Sequence, residues 1–298
     1  MPAQLGGVLS ALVVPFTADG SIDESRLRAV VDHNIAGGVH GVVACGSTGE
    51  FATMSSDERR RVVEVVVDQT AGRVPVVAQT GAVSTTEAIA LSKHAAALGV
   101  DALMLVTPYY EALSMQETLH YLRRVASAVD VPIMLYNLPA ATGVNLEPAV
   151  VGQLAREVQN IKYIKDTSAD MAQAGRLIHH HSDVISTFVG WDSLMLAALT
   201  EGAAGVMCGT ANALAPQLVA VHDAIKLGDF AAARTMWNAL YPLMDTIMSS
   251  AFIQAVKATC AAIGLDVGVT REPLLPLDPN TQAAIARHVA NLGLRVGA

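Results

Sequence analysis

A lysine stands at the end of an apolar segment, where an amine is suited to attack a carbonyl group. The segment IKYIKD (161–166) ends in Lys165 and Asp166. Strand alternation places Ile161, Tyr163 and Lys165 on one face, so we expect the amine among apolar neighbours. Such surroundings favour the neutral amine, which is the nucleophilic form. A structural ion pair between Lys165 and Asp166 is the alternative.

Two further segments offer partners for this amine. Tyr136 ends the apolar segment PIMLYN, and a phenol beside an amine suits general acid–base catalysis, although core aromatics also occupy such positions. The turn GSTGE (46–50) carries the hydroxyls of Ser47 and Thr48 together with backbone N–H groups. These donors suit a carboxylate or a phosphate, although similar turns also occur as ordinary loops.

The elements that must position these residues alternate along most of the chain. Short β-branched runs, of the kind that fill strands buried on both faces, are separated by segments with helical spacing and helix-boundary residues. Eight such units predict an α/β fold, a (β/α)8 TIM barrel, with a doubly wound sheet as the alternative. The predicted strands are 8–16, 41–46, 74–80, 102–107, 132–137, 161–166, 185–190 and 204–209.

After the eighth strand the pattern is only helical. The segments PQLVAVHDAIKLG, DFAAARTMWNALYPLMDTIMS, AFIQAVKATCAAIG and PNTQAAIARHVANLG all repeat apolar residues at helical spacing. The first of these four segments is expected to form the last helix of the barrel. We therefore predict a catalytic barrel at 1–227 and a C-terminal helical extension at 228–298.

Composition narrows the class of protein. The chain has 298 residues, of which 52% are hydrophobic and 15% charged, and its net charge is −8. Without a basic cluster it is not expected to bind nucleic acid. Its apolar runs are too short for membrane spans and no secretory signal is visible, so we expect a soluble cytoplasmic protein. We predict no membrane partner.

Neither the cysteines nor the histidines suggest a metal site. Cys45, Cys208 and Cys260 lack C-x-x-C spacing, so we expect buried reduced thiols rather than a disulfide or zinc. The run at 179–181 is three adjacent histidines, whose side chains point in different directions on a helix. It is more typical of a surface helix end than of a metal site.

Six segments resemble one known family when they are taken together and in order: LVVPFTADGSID, GSTGE, TPYY, YNLPAATG, IKYIKD and GAAGVMCGTAN. They are similar to the dihydrodipicolinate synthases and N-acetylneuraminate lyases, which are class I, Schiff-base aldolases. The resemblance covers nearly the whole chain. It implies a TIM barrel that takes pyruvate and an aldehyde, uses no metal or organic cofactor, and forms a homo-oligomer, a tetramer or dimer.

The resemblance also implies roles for individual residues. Lys165 corresponds to the lysine that forms an imine with a 2-oxo acid, and Tyr136 to the tyrosine that moves protons. In the turn, Ser47, Thr48 and Gly49 correspond to the group that holds the pyruvate carboxylate and connects Tyr136 to a proton relay. Tyr110 corresponds to a tyrosine that completes this relay from a neighbouring subunit, and Met207 to a residue whose backbone carbonyl lines the site.

Two departures from the family pattern bear on the substrate. Dihydrodipicolinate synthases resemble YN-x-P-x-R-x-G, whereas this chain has Ala141 in place of the arginine that grips a carboxylate. Neuraminate lyases carry an acid after the strand-7 aspartate, where this chain has Ser193. We therefore predict a lyase for a 2-oxo-3-deoxy sugar acid or a 4-hydroxy-2-oxo acid. Dihydrodipicolinate synthase and a non-catalytic 2-oxo acid sensor are the alternatives.

Polar residues after strands 6 and 7 are the candidates for contacts with the tail of such a substrate. Carboxylates and hydroxyls suit a polyol, although Ser168 and Asp192 also suit helix N-caps. The candidates are Asp166, Thr167, Ser168 and Asp192, with Ser193 beside them.

Overall fold

A computed structural model of the protein describes residues 5–111 and 113–295. Its strands run parallel and close into a barrel in the order β1 to β8. The eight predicted strands are all present, so the (β/α)8 prediction is confirmed and the doubly wound alternative is wrong. The strands are β1 Gly7–Ala11, β2 Gly41–Ala44, β3 Val76–Gln79, β4 Ala102–Val106, β5 Ile133–Asn137, β6 Ile161–Asp166, β7 Ser186–Val189 and β8 Gly205–Cys208.

Helices follow the strands and continue after β8, as the helical spacing predicts. The first eight are α1 Glu24–Ala36, α2 Ser56–Thr70, α3 Thr85–Ala97, α4 Met115–Ala126, α5 Pro139–Thr142, α6 Pro148–Glu157, α7 Met171–His181 and α8 Met195–Glu201. The last four are α9 Ala211–Lys226, α10 Phe230–Met248, α11 Phe252–Ile263 and α12 Pro279–Asn291.

Side-chain caps explain where several helices begin. Ser55 and Glu58 form a capping box at the start of α2, each bonding the other's backbone N–H. Ser84 caps α3 by accepting a hydrogen bond from the Glu87 N–H. Asp170 caps α7, with its side chain accepting from two backbone N–H groups. These polar residues fix the helix starts independently of the core.

The chain forms two compact units by its internal contacts. The central unit is Pro75–Met207, to which Leu5 and Gly6 also belong, and it contains β3 to β7. Among the described residues, the terminal unit is 7–74 with 208–295, and it contains β1, β2 and α9 to α12. The last helices therefore belong to the same compact unit as β1 and β2, while the boundary at residue 227 stays a prediction.

The core is built from strands that are buried on both faces. Every residue of β6 except Lys162 is buried, as parallel strands covered by helices require. The three cysteines are buried and free, as predicted. Burial raises the pKa of the Cys45 and Cys260 thiols to about 12. Within the described residues, no helix combines the length and apolar character that crossing a bilayer would require.

Candidate active site

Lys165 and Tyr136 lie side by side on neighbouring strands of the central unit. The register of β5 and β6 pairs Tyr136 with Lys165, and that of β6 and β7 pairs Lys165 with Phe188. The Lys165 Nζ lies 4.1 Å from the centroid of the Tyr136 ring, and the residue is only 4% exposed. An amine in this position is held against an aromatic face and largely shielded from water.

A glycine at the end of β7 makes room for the lysine side chain. A Cβ atom at Gly190 would lie 2.4 Å from Lys165 Cε and 2.2 Å from Thr167 Oγ1. Both distances are far shorter than a van der Waals contact, so any larger residue would displace these side chains. Sequence reasoning missed Gly190. The signal was its place directly after a strand, but its role depends on the register between β6 and β7.

Asp166 is anchored by neighbouring side chains instead of pairing with the lysine. It follows Lys165 in the strand, so its side chain leaves the opposite face. Its carboxylate accepts hydrogen bonds from Asn137 Nδ2 at 2.9 Å, Ser168 Oγ at 3.0 Å and Gln173 Nε2 at 3.2 Å. In the described parts of the chain, Lys165 and Asp166 form no ion pair, and the ion-pair alternative is wrong.

Burial and hydrogen bonding act in opposite directions on Asp166. Desolvation raises the pKa of the Asp166 carboxyl, and the hydrogen bonds from Asn137 and Ser168 oppose this shift. Both carboxylate oxygens thus have protein partners that fix the loop after β6. The predicted contact of Asp166 with a substrate stays a prediction.

The other candidates for the substrate tail lie around the ends of β6 and β7. Thr167 is buried, and its Oγ1 has no hydrogen-bond partner among the described residues. Ser168 Oγ accepts from the Asp170 N–H at 3.2 Å, and the N-cap of α7 is Asp170. Asp192 begins a short 3-10 helix whose N-cap is Trp191. The N-cap alternative for Ser168 and Asp192 is therefore wrong.

Two further predicted residues of the central unit differ sharply in exposure. Tyr110, in the segment after β4, is 82% exposed. Met207 is buried within β8. Tyr110 thus faces solvent in the single chain, whereas Met207 is packed inside the protein.

In the terminal unit, the turn after β2 packs tightly. Ser47–Gly49 form a 3-10 helix in which Thr48 and Gly49 are buried. A Cβ atom at Gly49 would lie 3.0 Å from the Leu12 carbonyl oxygen, so the turn backbone lies directly against the segment after β1. A Cβ atom at Gly209 would lie 2.9 Å from Thr48 Oγ1. The turn is thus packed against the segment after β1 at Gly49 and against Gly209 at Thr48.

The adjacent histidines at the end of α7 point to different neighbours, as expected for a surface helix end. His179 Nε2 lies 2.9 Å from the Glu201 carboxylate on α8. The ring of His181 packs on Gly152 of α6, where a Cβ atom would lie 2.3 Å from its Nδ1. The side chains of His179 and His181 therefore contact different helices.

A separate group in the terminal unit, the histidine cluster, consists of His40, His222 and Asp223. These residues bring their ligand-type atoms within 4.8 Å of one another. Hydrogen bonds account for the arrangement: the Val8 N–H donates to His40 Nδ1 at 3.1 Å, and His222 Nδ1 lies 2.9 Å from Asp223 Oδ1. Burial lowers the pKa of His40, the charge of His222 adds to this shift, and Asp223 opposes it.

A lysine buried against a tyrosine on adjacent strands of a closed (β/α)8 barrel is an arrangement suited to imine chemistry. The model of the Dihydrodipicolinate synthetase family matches residues 4–292. The chain belongs to this family and is a lyase of the aldolase type.

Relatives with assigned names match along their whole lengths. The 4-hydroxy-tetrahydrodipicolinate synthase of Pelobacter propionicus is 38% identical over 97% of this chain and 99% of its own. A crystal structure of a dihydrodipicolinate synthase is 34% identical, covers 97% of this chain and 99% of its own, and has a TM-score of 0.93. A prophage protein of the same family from E. coli K12, in complex with pyruvate, is 31% identical over 98% of this chain and 100% of its own, also with a TM-score of 0.93.

Proposed function

We propose that this lyase joins pyruvate to an aldehyde through an imine on Lys165, and that the aldehyde is aspartate semialdehyde. The single observation that carries the imine is the placement of Lys165, buried over the Tyr136 ring with space left by Gly190. The choice of aldehyde is supported by the relatives named 4-hydroxy-tetrahydrodipicolinate synthase.

The proposed reaction needs only groups of the protein, the substrates and water. The Lys165 amine adds to C2 of pyruvate, and the carbonyl oxygen leaves as water after it gains protons. The imine then loses a proton from C3 to give an enamine, which attacks the aldehyde carbon while the aldehyde oxygen takes a proton. Water then adds to C2 of the resulting imine, and the carbon–nitrogen bond breaks to release the product and the free Lys165 amine. Tyr136, next to Lys165 in register, is the proposed carrier of these protons.

The remaining roles are proposed from the family resemblance. Ser47, Thr48 and the backbone of Gly49 hold the pyruvate carboxylate, which orients the bound substrate. The backbone carbonyl of Met207 lines the site. Tyr110 completes the relay from a second copy of the chain, and its 82% exposure in the single chain supports this assignment. The working form is thus a homo-oligomer, a dimer or tetramer.

A second candidate function is the cleavage of a 2-oxo-3-deoxy sugar acid or 4-hydroxy-2-oxo acid to pyruvate and an aldehyde. The observation that favours it is Ala141, which is exposed on α5 and has no charge to pair with a second carboxylate. The Thr167 hydroxyl near Lys165, which has no hydrogen-bond partner among the described residues, also suits a hydroxylated tail. Ser168, Asp192 and Asp166 are the further proposed tail contacts.

Trapping the imine tests the chemistry. Borohydride added with pyruvate should leave a stable adduct whose mass and position identify Lys165. Lys165→Ala should abolish the adduct, whereas Lys162→Ala, an exposed lysine of the same strand, should retain it. An adduct that survives Lys165→Ala, or no adduct in the wild-type protein, would overturn the proposal.

Substrate assays then separate the two functions. Condensation of pyruvate with aspartate semialdehyde is compared with aldol cleavage of a panel of 2-oxo-3-deoxy acids. Faster condensation supports the synthase. Efficient cleavage with negligible condensation supports the second candidate, and Ala141→Arg should then raise the condensation rate because it supplies a bidentate carboxylate partner.

A further inference from the structure

A buried ion pair stands directly beside the turn that follows β2. Lys257 Nζ on α11 lies 2.6 Å from Glu50 Oε1, with 5% and 0% of the two side chains exposed. The ammonium also donates to the carbonyl oxygens of Val14 at 2.9 Å and Val269 at 2.6 Å. It lies 4.8 Å from the centroid of the Phe16 ring. The ammonium is therefore held by two carbonyl hydrogen bonds and one ion pair.

Arg271 holds the same glutamate from the loop before α12. The backbone N–H of Arg271 donates to Glu50 Oε2 at 2.8 Å. Its guanidinium donates to the carbonyl oxygens of Gly20 and Thr53, at 3.0 Å and 2.9 Å, and pairs with both carboxylate oxygens of Glu58. Arg271 therefore connects Glu50, the residue after the Ser47–Gly49 turn, to the chain at Gly20, Thr53 and Glu58.

The backbone of Glu50 shows why such a network is needed. Glu50 has φ 62° and ψ 32°, in the left-handed region, and it links the 3-10 helix Ser47–Gly49 to the next one. This conformation is unfavourable for a residue with a Cβ atom and requires support from its surroundings. The same helix that carries Lys257 also begins beside the turn, because a Cβ atom at Gly209 would meet both Phe252 and Thr48.

A purely structural role is the simpler explanation of a buried ion pair. Buried pairs are weak contributors to stability, however, because desolvation offsets much of their attraction. Burial lowers the pKa of Lys257, and the charge of Glu50 opposes this shift. The pair is therefore better explained by what it holds in place, which is the backbone of the turn.

We propose that Lys257 and Arg271 are positioning residues that hold Glu50 in its left-handed conformation and thereby fix the Ser47–Gly49 turn for the substrate carboxylate. The inference rests on the proposed function, in which this turn binds pyruvate. Two residues of the C-terminal helical segment would thus affect the affinity for the substrate without contacting it. Loss of the network should weaken the binding of the 2-oxo acid more than it slows the chemical step.

The test measures imine formation as a function of pyruvate concentration, which separates half-saturation from the maximal rate. Glu50→Gln keeps the side-chain shape and removes one charge, while Glu50→Gln with Lys257→Met removes both charges and avoids an unpaired ion. Ile263→Ala is the matched control, because it destabilises the buried face of α11 without touching the network. Thermal unfolding is recorded for every variant.

The expected result is a rise of about tenfold or more in half-saturating pyruvate for both network variants, with a smaller change in maximal rate. Ile263→Ala should lose thermal stability but keep the wild-type half-saturation. Network variants that lose stability alone would overturn the inference and leave the imine proposal intact. No adduct in the wild-type protein would overturn the proposed function, and this inference with it. If the double variant does not fold, Glu50→Gln decides the question.

Discussion

Gly190→Ala should test whether the position of the Lys165 side chain controls the proposed imine formation. The added Cβ would lie 2.4 Å from Lys165 Cε and 2.2 Å from Thr167 Oγ1. Carbon atoms in contact normally stay about 3.5 to 4 Å apart, so the lysine chain must move by about 1 Å. A displacement of that size costs about 100-fold in a rate that depends on alignment. Overpacking also costs about 1 to 3 kcal/mol of stability.

The assay is the rate of borohydride-trapped imine formation at saturating and limiting pyruvate. Gly175→Ala on α7 is the matched control, because the nearest atom to its added Cβ is a Glu201 carboxylate oxygen at 3.8 Å. That variant should keep the wild-type rate and gain up to about 1 kcal/mol from its better helix propensity. A Gly190→Ala enzyme with a wild-type imine rate would refute the claim that this glycine makes room for Lys165.

Three further predictions concern stability and reactivity. Because the pKa of His40 in the histidine cluster is lowered by burial, the unfolded chain binds the proton more strongly, and stability should fall as the pH drops below about 6.5. Urea unfolding at a series of pH values should show this loss, and His40→Gln should reduce it. Cys45 and Cys260, with pKa values raised to about 12, should resist thiol reagents in the native protein and react after denaturation. Rapid native labelling would contradict their burial. Asn212→Ala should lower the free energy of unfolding by about 3 kcal/mol, because it removes three buried hydrogen bonds to backbone groups. The exposed Asn291→Ala is its control, and an equal effect of both would contradict this reasoning.

The order of strands and helices was predictable because it depends on local patterns. Apolar runs and capping residues mark each element in the sequence, and eight units of this kind favour a closed barrel. The neighbouring positions of Lys165 and Tyr136 followed from the strand assignment, since both residues sit near the ends of consecutive strands. In the structure, the register between β5 and β6 places the two residues opposite each other.

Other features of the site were beyond a sequence argument. Asp166 stands next to Lys165 and suggested an ion pair, but alternation sends its carboxylate toward Asn137 and Gln173. Ser168 was as good an N-cap candidate as Asp170 by residue type alone. Which one caps α7 depends on the backbone path through the loop, where Ala169 has φ 62°.

The sequence by itself determined the kinds of elements, their order and the residue types available for imine chemistry, because these depend on local spacing. Tertiary structure alone decided which distant residues meet. Gly190 acquires its role only when β7 lies beside β6, and Glu50 acquires its partners only when α11 and the loop before α12 pack on the turn. These contacts join residues far apart in the chain, and only the packed core brings them together.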